Sequence, residues 1–214
     1  MTKTFSFLFL FLFLASCGKG GSGGGGSNGN AANLTDAEIM SSEVAPVEAQ
    51  TFEVNANLSG FSREQEEKIY AAFDLIKKVV ASDDFKKKVL SKTYNGRKDF
   101  VDSNDSNATV YKKILQASEK LTPGTNNTMD LQLKAYRESA NVIGYTKPSI
   151  KTVYVNTRYL DKSSFTANQV AMNLTHEWLH KLGYKHASSR TASRPHSVPY
   201  AVGYIMRALA AKVD

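Results

Sequence analysis

The four histidines of this 214-residue chain all fall between residues 176 and 196. The spacing of three of them dictates local structure more tightly than any other feature. His176 and His180 stand four apart, which on an α-helix puts them one turn apart on one face. The flanking residues support that helix. Thr166-Ala-Asn-Gln169 reads as a capping box, and Val170, Met172, Leu174 and Leu179 supply apolar contacts. A helix is therefore expected from about residue 167 to about 182. Gly183 is placed to end it as a left-handed C′ residue, and that reversal returns His186 towards the other two. Trp178, between them, is expected in the core.

Three imidazoles brought together in this way are able to hold one zinc ion, leaving the fourth coordination position to water. Glu177 follows the first histidine, so its carboxylate reaches such a water without ligating the metal. That is the place of a general base, which takes the water proton and passes it to a leaving amine. His196 stands apart, in a loop with Arg190, Arg194 and Pro195, and is expected to face solvent or contact substrate.

The whole string, His176-Glu-Trp-Leu-His180-Lys-Leu-Gly183-Tyr-Lys-His186, fits H-E-x-x-H-x-x-G-x-x-H. Over roughly Lys151 to Met206 the chain resembles the metzincin clan of zinc endopeptidases. The resemblance implies an α+β domain with a short mixed sheet and an active-site helix. It implies one catalytic zinc ion on His176, His180 and His186, Glu177 as base, and a polypeptide substrate. It also implies a strand beside the cleft that pairs with extended substrate, for which Thr152-Val-Tyr-Val155 is the candidate. Met206 is the candidate for the methionine that metzincins carry in a tight turn beneath the zinc. The context of Met206 departs from the family. Ser197-Val-Pro199 reads as a helix start and residues 200–213 as a continuous helix, so no closing helix follows it. Either that last helix itself underlies the zinc, or Met206 is a core residue. Tyr200 and Tyr204 are candidate donors to a tetrahedral oxyanion, set against packing on the terminal helix.

The first 57 residues are of another kind. Met1-Thr-Lys-Thr and the apolar run Phe5 to Leu14 have the form of an export signal, too short to span a bilayer. Leu14-Ala-Ser-Cys17 resembles the lipobox of bacterial lipoproteins, which implies a signal peptide over 1–16 and a lipidated Cys17. That anchor places the protein on the bacterial cell envelope, and Gly18 after the cysteine favours the outer membrane. Residues 17–30, rich in Gly and Ser, read as a tether. Residues 31–57 carry Asp36, Glu38, Glu43, Glu48 and Glu53 with no Lys or Arg, and read as an acidic flexible arm, a solvated spacer or an inhibitory segment. The single Cys excludes an internal disulfide. The net charge of +7 thus conceals an arm at −5 and residues 58–214, the expected catalytic domain, at +10. Export and the lack of a nucleic-acid motif argue against a nucleic-acid partner, and a monomer is expected.

Elsewhere Ser62-Arg-Glu-Gln65 caps a helix expected over 63–81, and Ser82-Asp-Asp starts a second. Tyr94-Asn95-Gly96 is a turn. Residues 99–105 are ambiguous, a short strand or a polar loop. A third helix is expected over 107–121, stopped by Pro123-Gly124, with strands over 128–136 and 150–156. The leading expectation is a lipid-anchored zinc endopeptidase. The alternatives are a membrane-tethered binding module on the same scaffold, and a zinc amidase acting on cell-wall peptides.

Overall fold

The computed structural model describes residues 51–97, 99–122 and 124–213. The expected signal peptide over 1–16, the lipidation site Cys17, the tether over 17–30 and most of the arm lie outside the described residues. Four strands form one mixed sheet: β1 (Glu53–Ser59), β2 (Thr128–Tyr136), β3 (Gly144–Tyr145) and β4 (Thr152–Asn156). Six helices accompany them: α1 (Arg63–Val80), α2 (Asp83–Leu90), α3 (Asn107–Leu115), α4 (Thr157–Leu160), α5 (Ala167–Lys181) and α6 (Val198–Val213). This mixed content agrees with an α+β class. None of the helices among the described residues is long and apolar enough to cross a membrane.

The sheet order is β1-β2-β4-β3, with the first three strands parallel and β3 antiparallel. Met129, Leu131 and Leu133 of β2 and Val153 and Val155 of β4 point to one face and are buried there. Val54, Ala56 and Leu58 of β1 extend that face and pack on the core. α1 and α5 lie in contact with each other, and both pack on α6. The opposite face is polar, with the Asn55 amide donating to Asp130 at 2.8 Å.

Three sequence expectations need correction. Residues 53–57, assigned to the arm, instead begin β1, which pairs with β2 in register from Glu53–Thr128 to Ser59–Lys134. Glu53-Val-Asn-Ala-Asn-Leu-Ser alternates polar and apolar, a strand signal that the acidic composition obscured. Thr152–Val155 is not an edge strand. β4 is paired with β2 on one side and, through Tyr154 and Val155, with β3 on the other, so β3 holds the edge. The third helix ends at Leu115, six residues before its expected stop. Ala117 takes a left-handed φ of 48°, its N–H donates to the Ile114 carbonyl at 3.1 Å, and the Ser118 N–H donates to Lys113 at 3.1 Å. This is a Schellman closure without glycine. It turns the chain so that Glu119 enters the interior, and the bonds Glu119 makes there compensate the strained alanine.

The other elements follow local chemistry. The Ser62 N–H donates to Gln65 Oε1 at 3.0 Å and the Thr166 N–H to Gln169 Oε1 at 2.7 Å, so both expected capping boxes form. Asn95 and Gly96, at φ 50° and 77°, make the tight turn joined by reciprocal Tyr94–Arg97 backbone bonds. The ambiguous 99–105 segment contributes an isolated parallel bridge, Val101 to Ser197.

Candidate metal centre

Helix α5 is buried from Val170 to Lys181, so the side chains around the histidine pair are fixed by packing on every face. Trp178 is in the core: its indole N–H donates to Glu119 Oε1 at 2.5 Å, and its ring meets Phe52 edge-on at 5.9 Å. The helix closes on Gly183 at φ 97°, with the Gly183 N–H donating to His180 and the Tyr184 N–H to Leu179, each at 3.1 Å. The positive φ selects glycine here; a Cβ would meet only the end of the flexible Lys120 side chain, which can move aside.

Beyond this turn His186 comes back to the helix. Its ring centroid lies 5.2 Å from that of His176 and 5.0 Å from that of His180. One nitrogen from each histidine falls within 4.8 Å of the others, close enough to hold one metal ion. The outer nitrogens make this arrangement specific. His180 Nδ1 donates to the Tyr184 carbonyl at 2.8 Å and His186 Nδ1 to the Ala187 carbonyl at 3.0 Å. His176 is bonded to the Pro199 carbonyl. A carbonyl only accepts, so each bonded nitrogen carries a proton and the other presents a lone pair inward. His186 Nε2 is buried with no hydrogen-bond partner, as is Glu177 Oε2. An orphaned imidazole nitrogen within a cluster of three neutral histidines fits a divalent cation.

Electrostatics point the same way. Burial, with His180 and His186 beside it, holds His176 well below the usual imidazole range, and burial, helped by His186 and Lys181, brings His180 to about 4. His186 is lowered chiefly by burial. Near neutral pH all three are therefore uncharged and free to ligate. Burial drives Glu177 up to about 8, opposed by Lys181 and by the backbone N–H of Thr146.

Several contributors to this site are not apparent from the motif. Lys181, one turn beyond Glu177, donates to Thr146 Oγ1 at 2.5 Å, to the Ile150 carbonyl and to the Thr152 carbonyl at 3.4 Å. It ties α5 to the segment between β3 and β4 whose Thr146 supports Glu177. Helical i, i+4 spacing from Glu177 was the available signal, but a lysine ordinarily reads as a solvated face. Asp102, held at φ 62°, accepts the Ala187 N–H at 3.2 Å and anchors the chain just past the third histidine. Tyr184 donates its hydroxyl to Asp105 at 2.9 Å, and Lys113 pairs with the same carboxylate at 2.6 Å. Nothing in the sequence links these distant positions.

Helix α6 forms the remaining wall. The Tyr200 ring lies 4.5 Å from the His176 ring and 4.8 Å from the His186 ring, and burial raises its phenol to about 12. Tyr204 follows one turn later, 6.0 Å from Tyr200, and is partly exposed. Gly203 lets the helices approach: a Cβ there would lie 3.3 Å from the Met172 carbonyl and 3.6 Å from His176 Cβ. Met206 lies within α6 rather than in a turn, fully buried in the core. His196 stands away from the cluster. Its Nδ1 accepts from Lys92 Nζ at 3.0 Å, and its ring packs on Tyr94 at 4.3 Å. No protein-family model matches the chain, and no curated protein or solved structure shows significant similarity to it.

Proposed function

We propose that the protein is a zinc-dependent endopeptidase of metzincin type, acting on extended polypeptide. The observation that carries this reading is Glu177 Oε2, buried without a partner on the residue that follows His176, together with three clustered histidines whose outer nitrogens are all bonded to carbonyls. A pure binding scaffold has no use for a desolvated carboxylate with one oxygen left without a partner. A zinc ion held by His176, His180 and His186 would supply Lewis acidity, polarising the scissile carbonyl and acidifying a water. Glu177, its basicity raised by burial, takes the proton of the attacking water and delivers it to the departing amine. Thr146 and Lys181 fix where that carboxylate stands. Tyr200, packed on His176 and His186, is the donor proposed for the developing oxyanion.

In this reading β3 takes the role first expected of β4. It is the short edge strand directly before Thr146, so extended substrate pairing with it lies beside Glu177. Gly144 keeps that strand against α5, since a Cβ would meet Asn173 Oδ1 at 2.8 Å and the Tyr154 carbonyl at 3.0 Å. The unbroken helix α6 stands in for the methionine turn, with Gly203 giving it close approach to His176. Export and lipid attachment at Cys17 to the bacterial envelope belong to the same proposal and rest on residues 1–17 alone.

The test separates metal from chemistry. Glu177→Gln should bind zinc stoichiometrically, by elemental analysis, yet cleave a peptide library about 10²–10⁴-fold more slowly. Wild-type rates in that variant, or a wild-type protein that takes up no zinc, would refute the proposal.

A further inference from the structure

Arg194 occupies the short 3-10 turn Arg194–His196 and is 5% exposed. Its guanidinium lies 4.9 Å over the Tyr200 ring, which itself touches His176 and His186. One terminal nitrogen donates to the Ser188 carbonyl at 3.3 Å, and the guanidinium also hydrogen-bonds the Tyr200 side chain. Nε and Nη2 are buried with no hydrogen-bond partner, and among the described residues no carboxylate forms an ion pair with Arg194. A buried cation with two unmet donors is costly, and chains retain one where an anion arrives to meet it. The carboxylates whose charge bears on this wall are already engaged. Asp102 accepts the Ala187 N–H, and Glu177 serves the metal side. A bound divalent cation would increase the positive excess. The two idle nitrogens form one edge of the guanidinium plane, where parallel N–H bonds match the two oxygens of a carboxylate. Tyr204, 37% exposed and with Arg207 5.9 Å from its ring, marks where this wall opens to solvent.

We propose that Arg194 is an anion-recognition group of the site, and that the peptide bound there presents a carboxylate to it, from an acidic side chain or from a chain end. The inference rests on the peptidase reading for the word peptide but not for the anion site itself. Carboxylates also ligate zinc, so the test uses the full chain freed of metal by chelation, at pH 8 where the histidines are neutral. Three probes are titrated by NMR: N-acetylglutamate α-amide, N-acetylalanine and the neutral N-acetylglutamine α-amide. At least one carboxylate should bind about tenfold or more tightly than the neutral amide, and which one identifies the source. Arg194→Leu should abolish that preference while its Tm holds or rises, because removing an unpaired buried charge does not cost stability. If Arg194 only straps the 187–193 loop to α6, Arg194→Leu lowers Tm and the probes do not discriminate, which overturns the proposal. Should the leucine variant not fold, the wild-type comparison still decides, and Arg194→Lys should lose most of the preference with the fork. Zinc uptake and peptide cleavage are measured separately. Their absence with the carboxylate preference intact sinks the peptidase reading alone, and the reverse pattern sinks only the anion site.

Discussion

Glu119 gives the sharpest test of how the histidine-bearing helix is held. It is buried, and its Oε1 receives both the Trp178 indole N–H at 2.5 Å and the Asp130 backbone N–H at 2.9 Å, while Oε2 receives the Thr122 hydroxyl at 2.9 Å. Glu119→Ala strands two buried donors, at about 1–3 kcal/mol each. The threonine hydroxyl turns to water at little cost, and release of a desolvated carboxylate offsets part of the loss. The expected destabilisation is about 3–4 kcal/mol. Glu119→Gln behaves differently because both buried donors use one oxygen. Its amide carbonyl takes that place and its NH2 faces a hydroxyl that can accept, so only charge assistance is lost, about 1 kcal/mol. For a domain of this size these figures correspond to a Tm lowered by about 10 °C and about 3 °C respectively. Trp178 is the only tryptophan, so urea unfolding followed by its fluorescence reads the site directly. If both variants lose less than about 1 kcal/mol, or if the alanine variant leaves the native emission unchanged, the reasoning fails.

Three further outcomes follow from the same geometry. In metal-free protein, His180 near 4 and the lowered His176 and His186 mean that the unfolded chain binds more protons below pH 6.5, so stability falls on acidification. His180 alone contributes about 3 kcal/mol, and three histidines outweigh the opposite slope of one Glu177. Just above pH 6.5 Glu177 dominates: its raised carboxyl pKa makes stability fall as pH rises, until Lys181, lowered by burial to about 8, offsets it near pH 8, so a urea-midpoint profile without a maximum near 6.5 would contradict the assignment. Gly183→Ala forces a side chain onto φ 97° and displaces the end of the Lys120 side chain. It should cost about 1–2 kcal/mol and weaken zinc affinity by displacing His186, which equilibrium zinc titration would detect. Lys181→Met removes the bonds to Thr146, Ile150 and Thr152. It should speed hydrogen exchange at the Thr146 amide, and unchanged exchange would show that Lys181 does not hold that segment.

The histidine-bearing helix was legible because its determinants are local. A capping box, four-residue spacing and a glycine at φ 97° lie within a short stretch, and each acts through backbone geometry that neighbours in sequence decide. α1 and β2 were legible for the same reason, through their 3.6 and 2.0 periodicities. The third helix was misjudged because Pro123-Gly124 is a loud stop signal, while the real stop is an alanine made tolerable by bonds to residues far along the chain. β1 was misjudged because its parallel partner lies 75 positions away in register, Glu53 to Thr128 and onwards. A parallel strand carries no adjacent hairpin to announce it.

The sequence by itself therefore determined that His176 and His180 share a helical face, that Gly183 reverses the chain, and that Glu177 stands beside the first histidine. Tertiary structure alone decided that the outer nitrogens of all three histidines meet carbonyls, that Lys181 is interior, and that β3 rather than β4 holds the edge. It alone brought Tyr200 and Arg194 against the histidine rings. The physical reason is the range of the forces involved. Helix and turn geometry is set by bonds within about four residues, whereas desolvation and the pairing of buried polar groups depend on what the whole fold packs around them.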